Sequence, residues 1–90
     1  MKARDLPKIE IYTQAWCPYC SRALNLLKEK GVQFQEIEAP GGSPARAEAR
    51  QRAGGLTSVP QVFIDGKHIG GSDELWALDR AGKLDVLLTA

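Results

Sequence analysis

The feature that most restricts the fold is a change of repeat at Cys17, where a strand pattern ends and a helix pattern begins. The segment KIEIYTQ (8–14) alternates between polar and apolar residues, which is typical of a strand. The segment CPYCSRALNLLKEKG (17–31) carries apolar residues at helical spacing, and its Pro18 is at home only in the first turn of a helix. We therefore expect a helix that begins near Cys17 and ends just before Gly31.

Two further segments continue the alternation of strand and helix. VQFQEIEA (32–39) predicts a strand on which Val32 and Phe34 share a face, whereas Ile37 is out of phase and predicts a bulge or a frayed end. In PGGSPARAEARQRAGG (40–55), Ser43 can cap a helix that Pro44 opens and the paired glycines end. Its apolar stripe contains only alanines, which predicts shallow packing.

The last part of the chain predicts a hairpin followed by helix. In PQVFIDGKHIGG (60–71), Asp65-Gly66 suits a two-residue turn between strands. In SDELWALDRAG (72–82), Ser72 is a candidate N-cap, and LDVLLTA (84–90) suits a short helical tail. The resulting order β-α-β-α-β-β-α predicts an α/β fold with a four-stranded mixed sheet flanked by helices, in a single domain over residues 1–90.

Composition excludes several classes of function. Twelve Lys and Arg face eleven Asp and Glu, the net charge is +1, and the basic residues are scattered. This pattern gives no stripe for nucleic acid and no attraction to an anionic membrane. The opening MKARDLPKIE lacks the apolar stretch of a secretory signal, and no segment is long enough to span a membrane. We therefore expect a cytoplasmic protein, in a compartment where structural disulfides are rare.

The two cysteines, Cys17 and Cys20, could form a structural disulfide, half of a metal site or a reactive pair. A disulfide across so short a loop removes little unfolded-state entropy. A structural zinc site needs about four ligands, and only the distant His68 could join the cysteines, so no metal is expected. At a helix N-cap, Cys17 faces free N–H groups and the positive end of the helix dipole, which lower a thiol pKa and favour the nucleophilic thiolate. Cys20 lies one turn on, on the same face, so the spacing favours a reactive pair.

Three motifs carry a resemblance to a known family: CPYC (17–20), SVP (58–60) and GGSD (70–73). With these motifs in this order, nearly the whole chain resembles the dithiol glutaredoxins, which have the thioredoxin fold. The resemblance implies a thiol–disulfide oxidoreductase that reduces protein disulfides and glutathione mixed disulfides. It implies glutathione as co-substrate, no tightly bound cofactor, disulfide-containing or glutathionylated proteins as partners, and a monomer.

The resemblance also assigns roles to residues of this chain. Cys17 matches the nucleophile, Cys20 matches the resolving thiol, and Pro60 matches a proline that the family holds in the cis form. The residues that match the glutathione-binding positions are Gln14, Tyr19, Ser58, Val59, Pro60, Gly71, Ser72 and Asp73. An extended peptide such as glutathione can pair with the backbone at Ser58–Pro60, and the start of the last helix can hold a carboxylate.

One position departs from the family pattern. Gln14 stands where the family usually has a lysine or arginine, so we expect glutathione binding to be weakened. The candidates for a compensating cation are Lys8, Arg50 and Arg52. Trp16 is expected to shield the cysteine pair from one side.

Two other functions remain as alternatives. Trp16 directly before Cys17 is similar to the WCxxC of thioredoxins, which would make the chain an electron donor recharged by a flavoprotein reductase. A carrier of an iron–sulfur cluster shared between two chains is the other alternative. The rigid Pro18 and the resolving thiol of Cys20 argue against a carrier.

Overall fold

The computed structural model describes residues 6–89, so the first half of the charged opening segment that was examined for a secretory signal lies outside the described residues. Its helices and strands are β1 (Ile9–Thr13), α1 (Pro18–Glu29), β2 (Gln35–Glu38), α2 (Pro44–Arg52), β3 (Gln61–Ile64), β4 (Lys67–Gly70), α3 (Ser72–Arg80) and α4 (Leu84–Leu88). The predicted element order is confirmed, with α4 as the helical tail. No helix within residues 6–89 has the length and apolar character needed to cross a bilayer.

The four strands form one mixed sheet in the order β2-β1-β3-β4. β1 pairs in parallel with β2 through the α1 crossover, and antiparallel with β3. β3 and β4 form the predicted hairpin, in which Asp65 (φ 51°) and Gly66 (φ 80°) both take left-handed conformations. This geometry is that of a turn whose twist matches the flanking strands. Strand β1 lies inside the sheet, and the chain runs from its end at Thr13 into the CPYC segment at the start of α1.

Both faces of the sheet are covered. One face packs against α1, α3 and α4 through a core that includes Ile11, Leu27, Val62 and Leu75. The other face packs against α2 through a smaller cluster made of Tyr12, Ala39, Ala49, Ala53 and Phe63. Although polar and apolar residues alternate in β1, every residue of the strand is buried, because α2 covers the side that carries Glu10.

A charged pair lies on the α2 side of the sheet. Arg52 of α2 donates from Nη2 to Glu10 Oε1 at 2.9 Å and from Nη1 to the Tyr12 hydroxyl at 2.8 Å. Its guanidinium carbon lies 4.1 Å from the centre of the Phe63 ring. The hydrogen bond from Arg52 holds the pKa of Glu10 below its ordinary value, although burial opposes this shift. The hydrogen bonds of Arg52 thus hold α2 against β1.

Strand β2 is shorter than the sequence predicts. Its ladder begins at Gln35, and Val32 and Phe34 precede it, packed against the larger core. Ile37 lies inside the ladder and packs against the smaller cluster. The expectation of a bulge or a frayed end near Ile37 is therefore wrong. Val32 and Phe34 pack on one side of the sheet before the ladder begins, and Ile37 packs on the other side within the ladder, which is why the apolar residues change phase.

The start of α3 also differs from the expectation. Ser72 was the candidate N-cap, but Gly71 occupies that position and Ser72 is the first helical residue. The Glu74 carboxylate accepts the Gly71 N–H at 2.7 Å, which is one half of a capping box. The Glu74 carboxylate therefore caps the start of α3, and the Ser72 hydroxyl takes no part in capping.

Candidate active site

Cys17 occupies the N-cap of α1, as the sequence predicts. Its backbone is extended (φ −115°, ψ 103°) and its Sγ accepts the Cys20 N–H at 3.1 Å. Pro18 follows at the first helical position and has no N–H that would need a partner. The N–H bond and the helix dipole both stabilise negative charge on this partly exposed sulfur. Cys17 is thus an accessible sulfur at the N-terminus of a helix.

Cys20 differs from its neighbour in exposure. It is 2% exposed, whereas Cys17 is partly exposed, and both cysteines are free. Burial raises the pKa of the Cys20 thiol to about 12; the Cys17 side chain adds to the rise, and the charge of Arg46 opposes it. The two thiols therefore differ: Cys17 is partly exposed, whereas Cys20 is buried and its raised pKa keeps it protonated at neutral pH.

A groove of about 270 Å³ lies on one side of Cys17. It is lined by Tyr19, Ser58, Val59, Pro60, Gly71, Ser72, Asp73 and Glu74. The Cys17 Sγ lies 3.9 Å from the Val59 carbonyl oxygen, and the Val59–Pro60 peptide bond is cis, as the resemblance implied. The fold thus gathers seven of the eight proposed glutathione-binding residues, from α1, the loop before β3 and the start of α3.

Gln14 is the residue that this groove does not include. It lines a second cleft of about 480 Å³ on the other side of Cys17, together with Trp16, Cys20 and Glu36. Its Oε1 accepts a hydrogen bond of 2.7 Å from Arg46 Nη1. The amide therefore orients a cation that the sequence analysis did not identify.

Arg46 is held by neutral oxygen atoms. Besides Gln14, it donates from Nη1 to the Ala39 carbonyl at 2.8 Å, and from Nε and Nη2 to the Thr57 carbonyl at 3.2 and 3.0 Å. These four bonds use four of the five guanidinium N–H groups. None of these partners is charged, so the positive charge of Arg46 is not neutralised by the groups that hold it.

The cations proposed to compensate for Gln14 lie elsewhere. Arg52 is engaged with Glu10, and Lys8 Nζ lies 4.0 Å from the same carboxylate. Arg50 lines a separate cavity with Arg46, on the outer side of α2. The cation beside Gln14 is therefore Arg46, which was not among the candidates Lys8, Arg50 and Arg52.

The start of α3 closes the far end of the groove. The Ser72 hydroxyl is buried and, among residues 6–89, has no hydrogen-bond partner. The Asp73 side chain is 78% exposed and accepts a bond of 3.0 Å from Arg22 Nη1. An unused hydroxyl, a helix N-terminus and a carboxylate together suit a ligand group that carries both charges.

This cysteine pair at a helix N-terminus, beside a cis-proline loop, has counterparts among known proteins. A family model for Glutaredoxin matches residues 9–69. The chain belongs to the glutaredoxin family. It is 56% identical to the glutaredoxin of Pseudomonas aeruginosa over 85 residues, which covers 94% of this chain and 100% of that protein.

Solved glutaredoxin structures agree with this assignment. The solution structure of glutaredoxin from Brucella melitensis matches with a TM-score of 0.81 and 46% identity, covering 93% of this chain and 90% of that one. A crystal structure of a buckwheat glutaredoxin–glutathione complex matches with a TM-score of 0.80 and 36% identity, covering 91% and 76%. The fold is therefore the predicted thioredoxin fold, and this glutaredoxin is a thiol–disulfide oxidoreductase.

Two features of this glutaredoxin escaped the sequence analysis. Trp16 is 98% exposed with φ at 59°, so the expectation that it shields the cysteines is wrong. Gln61 is buried; its Nε2 donates to the Ser58 carbonyl at 3.0 Å, and its Oε1 lies 2.6 Å from His68 Nε2. Gln61 thus fixes the loop that forms one wall of the groove. A polar residue in an otherwise apolar strand segment was the signal that could have identified it.

Proposed function

We propose that this glutaredoxin uses glutathione as its co-substrate and reduces protein disulfides and glutathione mixed disulfides through Cys17 and Cys20. The observation that carries the proposal is the position of the Cys17 Sγ, 3.9 Å from the carbonyl oxygen of Val59, which lines a groove of suitable size for a short extended peptide. The presence of glutathione in the buckwheat relative supports the same ligand here. We propose that the protein acts as a monomer in the cytoplasm, where a reduced glutathione pool can recharge the dithiol.

The groove supports a specific orientation of glutathione. Within residues 6–89, neither the N–H nor the C=O of Val59 takes part in a backbone–backbone hydrogen bond, so both can pair with the cysteinyl residue as with an added strand. The γ-glutamyl group then lies at the start of α3, where Ser72 offers its hydroxyl and helix N-terminus to the carboxylate. Asp73 offers its carboxylate to the ammonium. Tyr19 forms the side wall near Cys17.

Arg46 is proposed to bind the glycyl carboxylate at the other end of glutathione. An extended peptide advances about 3.3 Å per residue, so a ligand that pairs with Val59 brings its terminus level with Thr57, which Arg46 contacts. The charge of Arg46 is held by neutral groups and stays available for an anion. The role that the family gives to a cation at position 14 is thus divided here between Gln14, which orients, and Arg46, which carries the charge.

The chemistry follows from the unequal thiols. The Cys17 thiolate attacks the glutathione sulfur of a mixed disulfide; a Cys17–glutathione disulfide forms, and the target cysteine leaves as a thiolate and takes up a proton. A second glutathione thiolate can then attack the glutathione sulfur, which releases oxidised glutathione and restores the Cys17 thiolate. Alternatively, Cys20 loses its proton, attacks Cys17 and releases reduced glutathione, leaving the intramolecular disulfide.

The first test separates the roles of the two cysteines by replacing each with serine. Cys17→Ser should abolish reduction of both a protein disulfide and a glutathionylated peptide. Cys20→Ser should lose the first activity and retain the second, because a second glutathione can complete that route without a resolving thiol. Loss of both activities in Cys20→Ser would contradict the scheme. Recharging by thioredoxin reductase but not by glutathione with its reductase would favour the alternative thioredoxin-like function.

The role of Arg46 is tested by Arg46→Gln, with Arg50→Gln as a control that removes the same charge one turn further along α2. A charge-assisted bond in this half-exposed position is worth about 1 kcal/mol, so the KM for a glutathionylated peptide should rise about fivefold in Arg46→Gln. Arg50→Gln should change it by less than about twofold. Gln14→Lys should give no gain, since the new cation would repel Arg46. Equal effects of the two arginine variants, or tighter binding in Gln14→Lys, would refute this assignment.

A further inference from the structure

One contact at the groove is not explained by the roles proposed so far. Arg22 of α1 reaches across to Asp73 in the first turn of α3, with Nη1 3.0 Å from Oδ1. Arg22 does not line the groove, whereas Asp73 does. The arginine therefore acts on the ligand-facing carboxylate from outside.

Arg22 is itself held from two directions. Its guanidinium lies over the ring of Trp76, with the guanidinium carbon 5.3 Å from the ring centre. The Trp76 Nε1 donates to the Arg22 carbonyl oxygen at 3.3 Å. Since Asp73 and Trp76 are three residues apart on one face of α3, the tryptophan holds the arginine level with the carboxylate. Arg22 and Trp76 thus form a bracket that links α1 to α3 beside the groove.

The bracket occupies only one of the two carboxylate oxygens. Arg22 bonds Oδ1, and a carboxylate can accept bonds at both oxygens. Asp73 is 78% exposed, so without Arg22 its side chain would be free to sample the staggered rotamers. The hydrogen bond from Arg22 can therefore orient the Asp73 carboxylate and still leave its second oxygen free to accept a bond.

We propose that Arg22 is a positioning residue that fixes the Asp73 carboxylate in the rotamer that receives the α-ammonium group of the γ-glutamyl end of glutathione. This inference rests on the proposed glutathione function of the groove. It adds a determinant of specificity, since the effect of Arg22 applies to ligands with an α-ammonium group and not to ligands that lack it. The magnitude follows from the rotamers: fixing one of three staggered wells is worth up to about threefold in affinity.

The experiment compares two mixed disulfides of one cysteine peptide. One carries glutathione, and the other carries N-glutaryl-cysteinylglycine, which is glutathione without the α-amino group. The readout is the ratio of kcat/KM for the two substrates, in the wild type, Arg22→Met, Asp73→Asn and the double variant. Arg22→Lys tests rescue by a conservative change, and Arg80→Met removes an exposed arginine from the last turn of α3 as a control.

Arg22→Met should raise the KM for the glutathione substrate about threefold, leave kcat unchanged, and leave the des-amino substrate unaffected. In the Asp73→Asn background it should have no further effect, and Arg22→Lys should recover part of the loss. Arg80→Met should behave as the wild type. Tighter binding of glutathione in Arg22→Met would mean that the arginine competes with the ammonium, and an equal loss for both substrates would mean a general structural role; either result overturns the proposal. A wild type that does not discriminate between the substrates also overturns it, whereas a wild type that does not use glutathione at all refutes the proposed function itself.

Discussion

The contact between Glu10 and Arg52 makes a quantitative prediction about how α2 is held against the sheet. The Glu10 side chain is 11% exposed and that of Arg52 is 27% exposed, so the ion pair is largely removed from water. Glu10→Gln keeps an oxygen that can accept a hydrogen bond but removes the charge that Arg52 faces. A hydrogen bond to a charged group contributes about 1.5–3 kcal/mol, so the free energy of unfolding should fall by about 2 kcal/mol at pH 7.

The same contribution should depend on pH in a defined direction. The pKa of Glu10 lies below its ordinary value of 4.5 in the folded protein, because Arg52 donates to the ionised carboxylate. A lowered pKa means that the stabilisation is fully present above about pH 4.5 and is lost as the pH falls through the folded-state pKa. Below that point Glu10 is neutral, as glutamine is at every pH. The difference between the wild type and Glu10→Gln should therefore be full at pH 7 and small near pH 2.

The measurement is urea unfolding followed by circular dichroism. With a slope of about 1 kcal/mol per molar urea, the midpoint should fall by about 2 M in Glu10→Gln at pH 7. The control is Lys8→Met, which removes a 72% exposed cation 4.0 Å from the same carboxylate and should cost less than about 0.5 kcal/mol. The reasoning would be wrong if both variants lost the same stability, or if the loss in Glu10→Gln did not change between pH 7 and pH 2.

Two further predictions concern Gly70 and Cys20. In Gly70→Ala the new Cβ would lie 2.8 Å from the Glu74 Cγ at a φ of +124°, so the variant should lose about 1–3 kcal/mol in urea unfolding, whereas Gly41→Ala, whose Cβ meets nothing within 4 Å, should change little. Equal stability of the two alanine variants would count against this. Because burial raises the pKa of Cys20 to about 12, alkylation of Cys20 by iodoacetamide in folded Cys17→Ser should still be accelerating at pH 10. In urea the rate should level off above about pH 8.5, the ordinary pKa of a free thiol; a plateau near that pH in the folded protein would contradict the expectation.

The sequence alone was sufficient for the features that depend on neighbours along the chain. Pro18 fixes where α1 begins, which makes Cys17 its N-cap and places Cys20 one turn away. Asp65-Gly66 fixes the hairpin turn, because both residues adopt positive φ. Where local signals competed, as at Gly71 and Ser72, the sequence chose the wrong cap, because the carboxylate of Glu74, three residues after Gly71, accepts the Gly71 N–H.

The polar side chains that complete the site depended on tertiary packing. Three arginines reach partners far away in the sequence: Arg46 meets Gln14 across 32 positions, Arg52 meets Glu10 across 42, and Arg22 meets Asp73 across 51. Local periodicity specifies which residues share a face of one helix or strand, but not which faces of different elements meet. A long guanidinium side chain finds its acceptor only after the helices have packed. The sequence by itself therefore determined the fold and the positions of the two sulfurs, and the tertiary structure decided which charges surround them.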